Sequence, residues 1–249
     1  MMIQSEYKQP ALTMTRKVLL LCGILASLLY VGSDILASMR WEGYSYTAQS
    51  VSELRALGAP TRPFLVTVFL VYSLLEIAFG WGVRGAAGPK RAVRIAGALL
   101  IGLGVVDMTA PFFPMHLRGA DFTLTDTMHI ILTAVTVLLI LLIIGFGAAA
   151  DGKRFRLYSI ATIVVIALCG AWAFSDGPRI AANLPTPWIG VRERINIYGY
   201  MLWVLMLAAT LLHAEDSNSK LSQGGRNDRT IPTGLADDSR FDNTERRAA

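Results

Sequence analysis

A chain of 249 residues that is 53% hydrophobic and only 16% charged, with a mean hydropathy of +0.48, is too apolar for a water-soluble domain, in which about a quarter of residues carry charge. Its net charge of +5 does not point to nucleic acid, because the basic residues gather in short loops and at the ends of apolar runs, with no basic stripe interleaved with aromatics. Cys22 and Cys169 fall roughly 10 Å apart in depth at the rise of an α-helix, too far for a disulfide, and read as small core hydrophobes.

The apolar residues come in blocks of about twenty, the length a helix needs to cross a hydrocarbon core of roughly 30 Å. Backbone polar groups in lipid must be satisfied within the segment, so each block is expected to be a helix. Residues 1–16 form a polar leader, and the first block runs from Val18 to Ser38. Its length and the blocks that follow make it a span rather than a cleaved signal peptide. The next loop carries its own signal. Ser50-Val51-Ser52-Glu53 reads as a capping box, and Ala48, Val51, Leu54 and Leu57 recur at helical spacing until Gly58 and Pro60 stop the run. A short amphipathic helix on the outer membrane face is expected there, with Trp41, Tyr44, Tyr46 and Trp188 suited to an interfacial aromatic belt.

The remaining spans are Pro63 to Val83, Ile95 to Pro111, Thr127 to Ala150, Leu157 to Phe174 and Ile195 to His213. On the third, Gly97, Gly102 and Gly104 are expected to permit close helix packing. Residues 215–249 mix seven acidic with six basic side chains and few large apolar ones, a composition expected to stay disordered. The expected fold is therefore all-α: a six-transmembrane bundle over 17–214 with the outer-face helix and a disordered tail. Eleven Lys and Arg lie on the side of the N-terminus against seven on the other, which places both termini in the cytoplasm and the chain, multi-pass, in the cell (inner) membrane.

Depth is the informative pattern. Asp34 falls near the outer end of the first span and Asp107 late in the third. Asp126 and His129 open the fourth on one helix face, His116 precedes them, Asp176 follows the fifth, and Arg192, Glu193 and Arg194 open the sixth. Ionisable groups in lipid are costly and tend to face the bundle interior or mark function. Asp107 and His129 are the expected centre of a site, with Asp34, Asp126 and Arg194 in support. The structural alternatives are that Asp126 completes a capping box from Thr123, that Glu193 partners the flanking arginines, and that Asp34 and Asp107 pair with Arg194 or His129. Glu76 stands apart, toward the inner side of the second span. No H-E-x-x-H, G-x-S-x-G, Walker or C-x-x-C motif occurs. Asp107, His116, Asp126 and His129 are nonetheless residue types that hold zinc with an open position, from which a metal-bound hydroxide attacks a lipid ester or amide.

Three stretches carry a resemblance: Ser50-Val-Ser-Glu-Leu-Arg-Ala-Leu-Gly-Ala-Pro-Thr-Arg62, then Phe113-Pro-Met-His-Leu-Arg-Gly119 with Asp126-Thr-Met-His129, then Gly190-Val-Arg-Glu-Arg-Ile-Asn196. In this order, over roughly residues 17–214, they resemble the domain of unknown function 998 family. That resemblance implies a multi-pass, mostly bacterial membrane protein of unestablished role, and carries over Ser52, Glu53, Gly58, Pro60, Asp107, Pro114, His129, Glu193 and Arg194. A more distant likeness to ceramidase-type intramembrane hydrolases rests on Ser, Asp and His near one face; this chain has His213 alone in its last span.

Three functions follow as expectations. The first is a protein binding a lipid or partner at the outer face through Asp34, Ser52, Glu53, Asp126, Glu193 and Arg194, marked by a self-paired polar network beside an apolar groove. The second is a metal-dependent lipid hydrolase, so enzymatic activity stays open. The third is a small-solute or proton-coupled carrier with ionisable groups near the midplane. Membrane lipids are the expected partners, and self-association into a homo-oligomer stays open.

Overall fold

The computed structural model describes residues 3–227, and these contain no strand. The helices are α1 (Ile3–Arg40), α2 (Arg62–Ala86), α3 (Arg91–Thr109), α4 (Leu124–Gly147), α5 (Lys153–Phe174), the short α6 (Gly177–Ala181) and α7 (Ile189–Asn227), with 3₁₀ turns at Ser52–Arg55 and Ala110–Phe112. Six of these, all but α6, supply stretches long and apolar enough to cross a membrane. Their starts follow local chemistry. Pro63 sits in the first turn of α2, where its missing N–H costs nothing. Thr123 and Asp126 make the reciprocal capping box of α4.

Both terminal helices outrun the apolar blocks that seeded them. Residues 3–16, read as a leader, are the first turns of α1. No proline interrupts α7, which continues to Asn227 through part of the stretch expected to be disordered; once nucleated, a helix adds residues cheaply. Contacts between the N-terminal part of α1 and the C-terminal part of α7 hold the two together, Arg16 with Glu215 at 3.4 Å and Lys17 with Asp216 at 2.5 Å. Residues 228–249 of the expected tail lie outside the described residues.

The six long helices form a closed ring in chain order, each packed on its neighbours, with α7 returning to α1. The core runs down its axis through Tyr200, Trp203 and Leu207 of α7, Phe79 of α2 and Leu100 of α3. The Trp203 Nε1–H donates to Ser159 Oγ of α5 at 2.9 Å. The α4 and α5 spans are only 17% buried, against 39% for α1, α2 and α7, so α4 and α5 present most of their surface to the surroundings. Cys22 and Cys169 are both free thiols.

Glycines set the closest seam. A Cβ on Gly97 would lie 2.7 Å from the Gly80 carbonyl oxygen, and one on Gly104 would lie 2.9 Å from that of Ser73. The α2 and α3 backbones therefore touch directly, as small residues allow between membrane helices. Gly102, expected in the same seam, faces open space, because it is turned away from the face that Gly97 and Gly104 share. Gly97→Leu is expected to destabilise the protein by about 1–3 kcal/mol through overpacking, while Gly102→Leu leaves the Tm near wild type. Thermal unfolding of the two variants side by side in one detergent checks this; equal Tm values would contradict the seam.

The outer-face amphipathic helix is not present. In its place is the four-residue 3₁₀ turn Ser52–Arg55, drawn inward so that Leu54 is 0% and Glu53 1% exposed. Its capping-box contacts do form: Glu53 N–H donates to Ser50 Oγ at 3.2 Å, and Ser50 N–H to Glu53 Oε2 at 2.6 Å. Gly58, at φ +90°, then turns the chain as only glycine does readily, and Leu57 N–H donates to the Met115 carbonyl at 2.8 Å. The run is too short, and its glutamate too buried, to lie on a lipid surface.

Candidate functional site

Arg194, in the second turn of α7, reaches across the bundle to Asp34 of α1. The pair is bidentate, Nε to Oδ2 at 2.8 Å and Nη2 to Oδ1 at 3.1 Å, and both residues are 3% exposed. The remaining guanidinium hydrogens are also used. Nη1 donates to the Tyr46 carbonyl at 2.6 Å, and Nη2 donates to Ser38 Oγ and the Tyr44 hydroxyl. Tyr198 donates to Asp34 Oδ2 at 2.5 Å, and the Tyr46 ring stacks 3.5 Å under the guanidinium. Burial pushes the Tyr44 hydroxyl's pKa well above its usual value, so it stays a donor, to the Ser50 carbonyl at 2.8 Å. Two of the four aromatics expected in an interfacial belt, Tyr44 and Tyr46, thus serve this buried arginine instead.

A second pair sits beside the first. Arg118 clasps Glu53 with Nε at 2.7 Å and Nη2 at 3.0 Å, and Nη2 also donates to the Ala48 carbonyl at 3.1 Å. Glu193 accepts from the Val51 backbone N–H at 2.6 Å, so α7 holds the loop between α1 and α2 through residues 51 and 46 together. Around the rim, His116 meets Asp126 through both its ring Nδ1, at 2.8 Å, and its backbone N–H, at 2.7 Å. Arg192 pairs with Asp176 at 2.6 Å rather than with Glu193, its neighbour in sequence.

The expected centre is thus divided. Asp34 and Arg194 meet, and Asp126 caps α4 and holds His116. His129 Nδ1 lies 3.3 Å from the Phe113 carbonyl, while Asp107 interacts with Thr136 of α4 and Glu76 of α2. Among the described residues, no three His, Cys, Asp or Glu side chains converge where they could hold a metal ion; His116 and Asp126 meet each other, while Asp107 and His129 turn to other partners.

Two groups have surroundings that the sequence does not show. Glu76 is 3% exposed and far from solitary. Tyr72 and Tyr200 donate to its Oε1 at 3.2 and 3.1 Å, and the Asp107 carboxyl lies within hydrogen-bonding reach. Tyr72 stands four residues before Glu76, a spacing that marks it as a local partner; Tyr200 has no such signal. The other is Arg55. Side chains at i and i+3 eclipse in a 3₁₀ turn, so Ser52 and Arg55 project together into a small cleft of about 20 Å³ shared with Arg62, Phe69, Pro114 and His129. Arg62 is tied to the Arg55 and Pro111 carbonyls at 2.7 and 3.2 Å. The Arg55 guanidinium lies 3.7 Å over the Phe69 ring, has no hydrogen bond or ion pair among the described residues, and projects its charge onto Asp107, His129 and Glu193.

A family model described as a protein of unknown function (DUF998) matches residues 24–210. The chain belongs to this family. No curated protein and no solved structure matches it. The DUF998 match begins inside α1 and ends inside α7, and so takes in the outer-end pairs, the Arg55 cleft and the Glu76–Asp107 pair together.

Proposed function

We propose that this DUF998 protein binds an amphiphile with an acidic head group at the outer face of the cell membrane, with Arg55 as the head-group ligand. The carrying observation is the contrast between Arg55 and its surroundings. Asp34, Glu53, Asp126 and Asp176 each face a cationic or histidine partner, whereas Arg55 offers a half-buried guanidinium to a cleft. Ser52 and His129 add polar contacts there, and Phe69 and Pro114 supply an apolar wall for the first carbons of a chain. With both termini cytoplasmic, as the basic inner loops favour, this cleft opens toward the outer leaflet. Its 20 Å³ is room for about one water; the head group takes that water's place at the mouth and the acyl chains stay in the bilayer. Arginine suits such a ligand because its planar fork matches a phosphate or carboxylate.

The test is lipid retention by native mass spectrometry on protein purified in mild detergent, offered phosphatidylglycerol, phosphatidylcholine or inorganic phosphate. Phosphatidylglycerol is expected to be retained preferentially, and Arg55→Gln to weaken its retention about tenfold, the value of one charge-assisted hydrogen bond. Equal retention of both lipids, or retention unchanged in Arg55→Gln, overturns the proposal. Capture of phosphate alone would make the ligand a soluble anion rather than a lipid.

A further inference from the structure

We propose that Glu76 and Asp107 form a proton-binding site inside the helix bundle, sharing one proton that resides on Glu76 and is donated to the Asp107 carboxylate. Helix geometry brings the two together. Side chains tilt toward the N-terminus of their own helix, and α2 and α3 run in opposite directions. Glu76, the fifteenth residue of α2 and so roughly 21 Å along it, leans back toward the outer end. Asp107, near the C-terminal end of α3, leans inward to meet it. Gly80 with Gly97, and Ser73 with Gly104, keep the backbones in contact alongside.

The hydrogen-bond inventory locates the proton. Two carboxylates within hydrogen-bonding reach in a medium of low dielectric cannot both be ionised. The Glu76 Oε1 accepts from the Tyr72 and Tyr200 hydroxyls, as the carbonyl oxygen of a carboxylic acid does. Its Oε2 is buried and receives no donor among the described residues, the position expected for an O–H that donates instead. The acceptor is Asp107, whose carboxyl faces the charge of Arg55 and the Thr136 side chain.

The other ionisable groups around the pair fit this distribution. Tyr30 of α1 lies in reach of the charges of Arg55, Asp34, Asp107 and Glu193, and His129 of α4 and Glu193 of α7 lie in reach of that of Arg55. Arg55 is thus the cation of this neighbourhood, and it stands on the Asp107 side. Glu76 is sealed at 3% exposure, while Asp107 is half-buried.

Infrared spectroscopy of the full chain in lipid nanodiscs tests the site directly and needs no ligand. At neutral pH the carbonyl stretch of a protonated carboxylic acid is expected in the wild type, shifting in D₂O and on labelling glutamate with ¹³C. It should vanish in Glu76→Gln, and persist at a shifted frequency in Asp107→Asn, where the partner becomes an amide. A wild type without the band, or a band that ignores the glutamate label, overturns the proposal. So does a band unmoved by Asp107→Asn, which would leave the proton unshared. The isotope experiment uses only the wild type and so reads the proton even where a variant does not fold.

Discussion

Arg194→Ala is expected to cost about 3–5 kcal/mol of stability, the penalty for stranding one member of a buried ion pair. The change leaves Asp34, 3% exposed, with the Tyr198 hydroxyl and without its bidentate partner. It also removes the donor to the Tyr46 carbonyl that fixes the loop between α1 and α2 to α7. Arg194→Lys keeps the charge but cannot reproduce a fork that reaches both Asp34 oxygens while also donating to Tyr46, Ser38 and Tyr44, so it should fall between wild type and alanine. The double variant Asp34→Asn with Arg194→Gln should recover most of the loss, because a neutral pair strands no charge. Chemical unfolding in detergent, run as a double-mutant cycle, measures all three. Additive losses for the two sites would show that the pair does not act as a unit.

The second large effect belongs to Glu53. Glu53→Ala removes two oxygens that together hold Arg118, the Ser50 N–H and, at 3.4 Å, the Gln49 amide, and is expected to cost about 3–5 kcal/mol on the same grounds. Glu53→Gln preserves the shape and one acceptor, and should cost about 1–3 kcal/mol. The consequence is local as well as global. The loop between α1 and α2 is held to the Arg118 segment through this carboxylate, so limited proteolysis should cut residues 41–61 faster in Glu53→Ala than in wild type. A loop equally resistant in both would mean that the hydrophobic contacts of Leu54 suffice to hold it.

Much of this architecture is legible in the residue order. Blocks of twenty apolar residues dictate spanning helices because lipid offers the backbone no alternative partner. Thr123 with Asp126 and Ser50 with Glu53 are reciprocal contacts across three residues, and both form. The outer layer of charge is also visible from depth alone. What one-dimensional reasoning cannot supply is the pairing within that layer. Asp34 and Arg194 are 160 residues apart and meet because the ring of helices closes; in the residue order that pairing is one alternative among several equal ones. Asp107 faces the same choice, and helix tilt turns it inward to Glu76 rather than along the surface to His129. The amphipathic helix fails for a related reason. Spacing shows which side chains share a face, but not that Glu53 finds Arg118 and draws the turn inside. Arg55 stays hidden because the residue order does not show which of the loop arginines goes without an acidic partner.

Arg55 also has two claims on one charge. It lines the cleft, where it faces whatever anion docks there, and its charge also reaches the Asp107 carboxyl. A guanidinium neutralised by a ligand does less for the carboxylate beneath it. If both proposed sites exist, they are thermodynamically linked, and linkage is reciprocal: occupancy of the cleft raises the proton affinity of the carboxyl pair by the same factor by which protonation of the pair strengthens binding in the cleft. A single cation placed between the cleft and the bundle interior would then make the protein's affinity for its ligand a function of the protonation of the carboxyl pair.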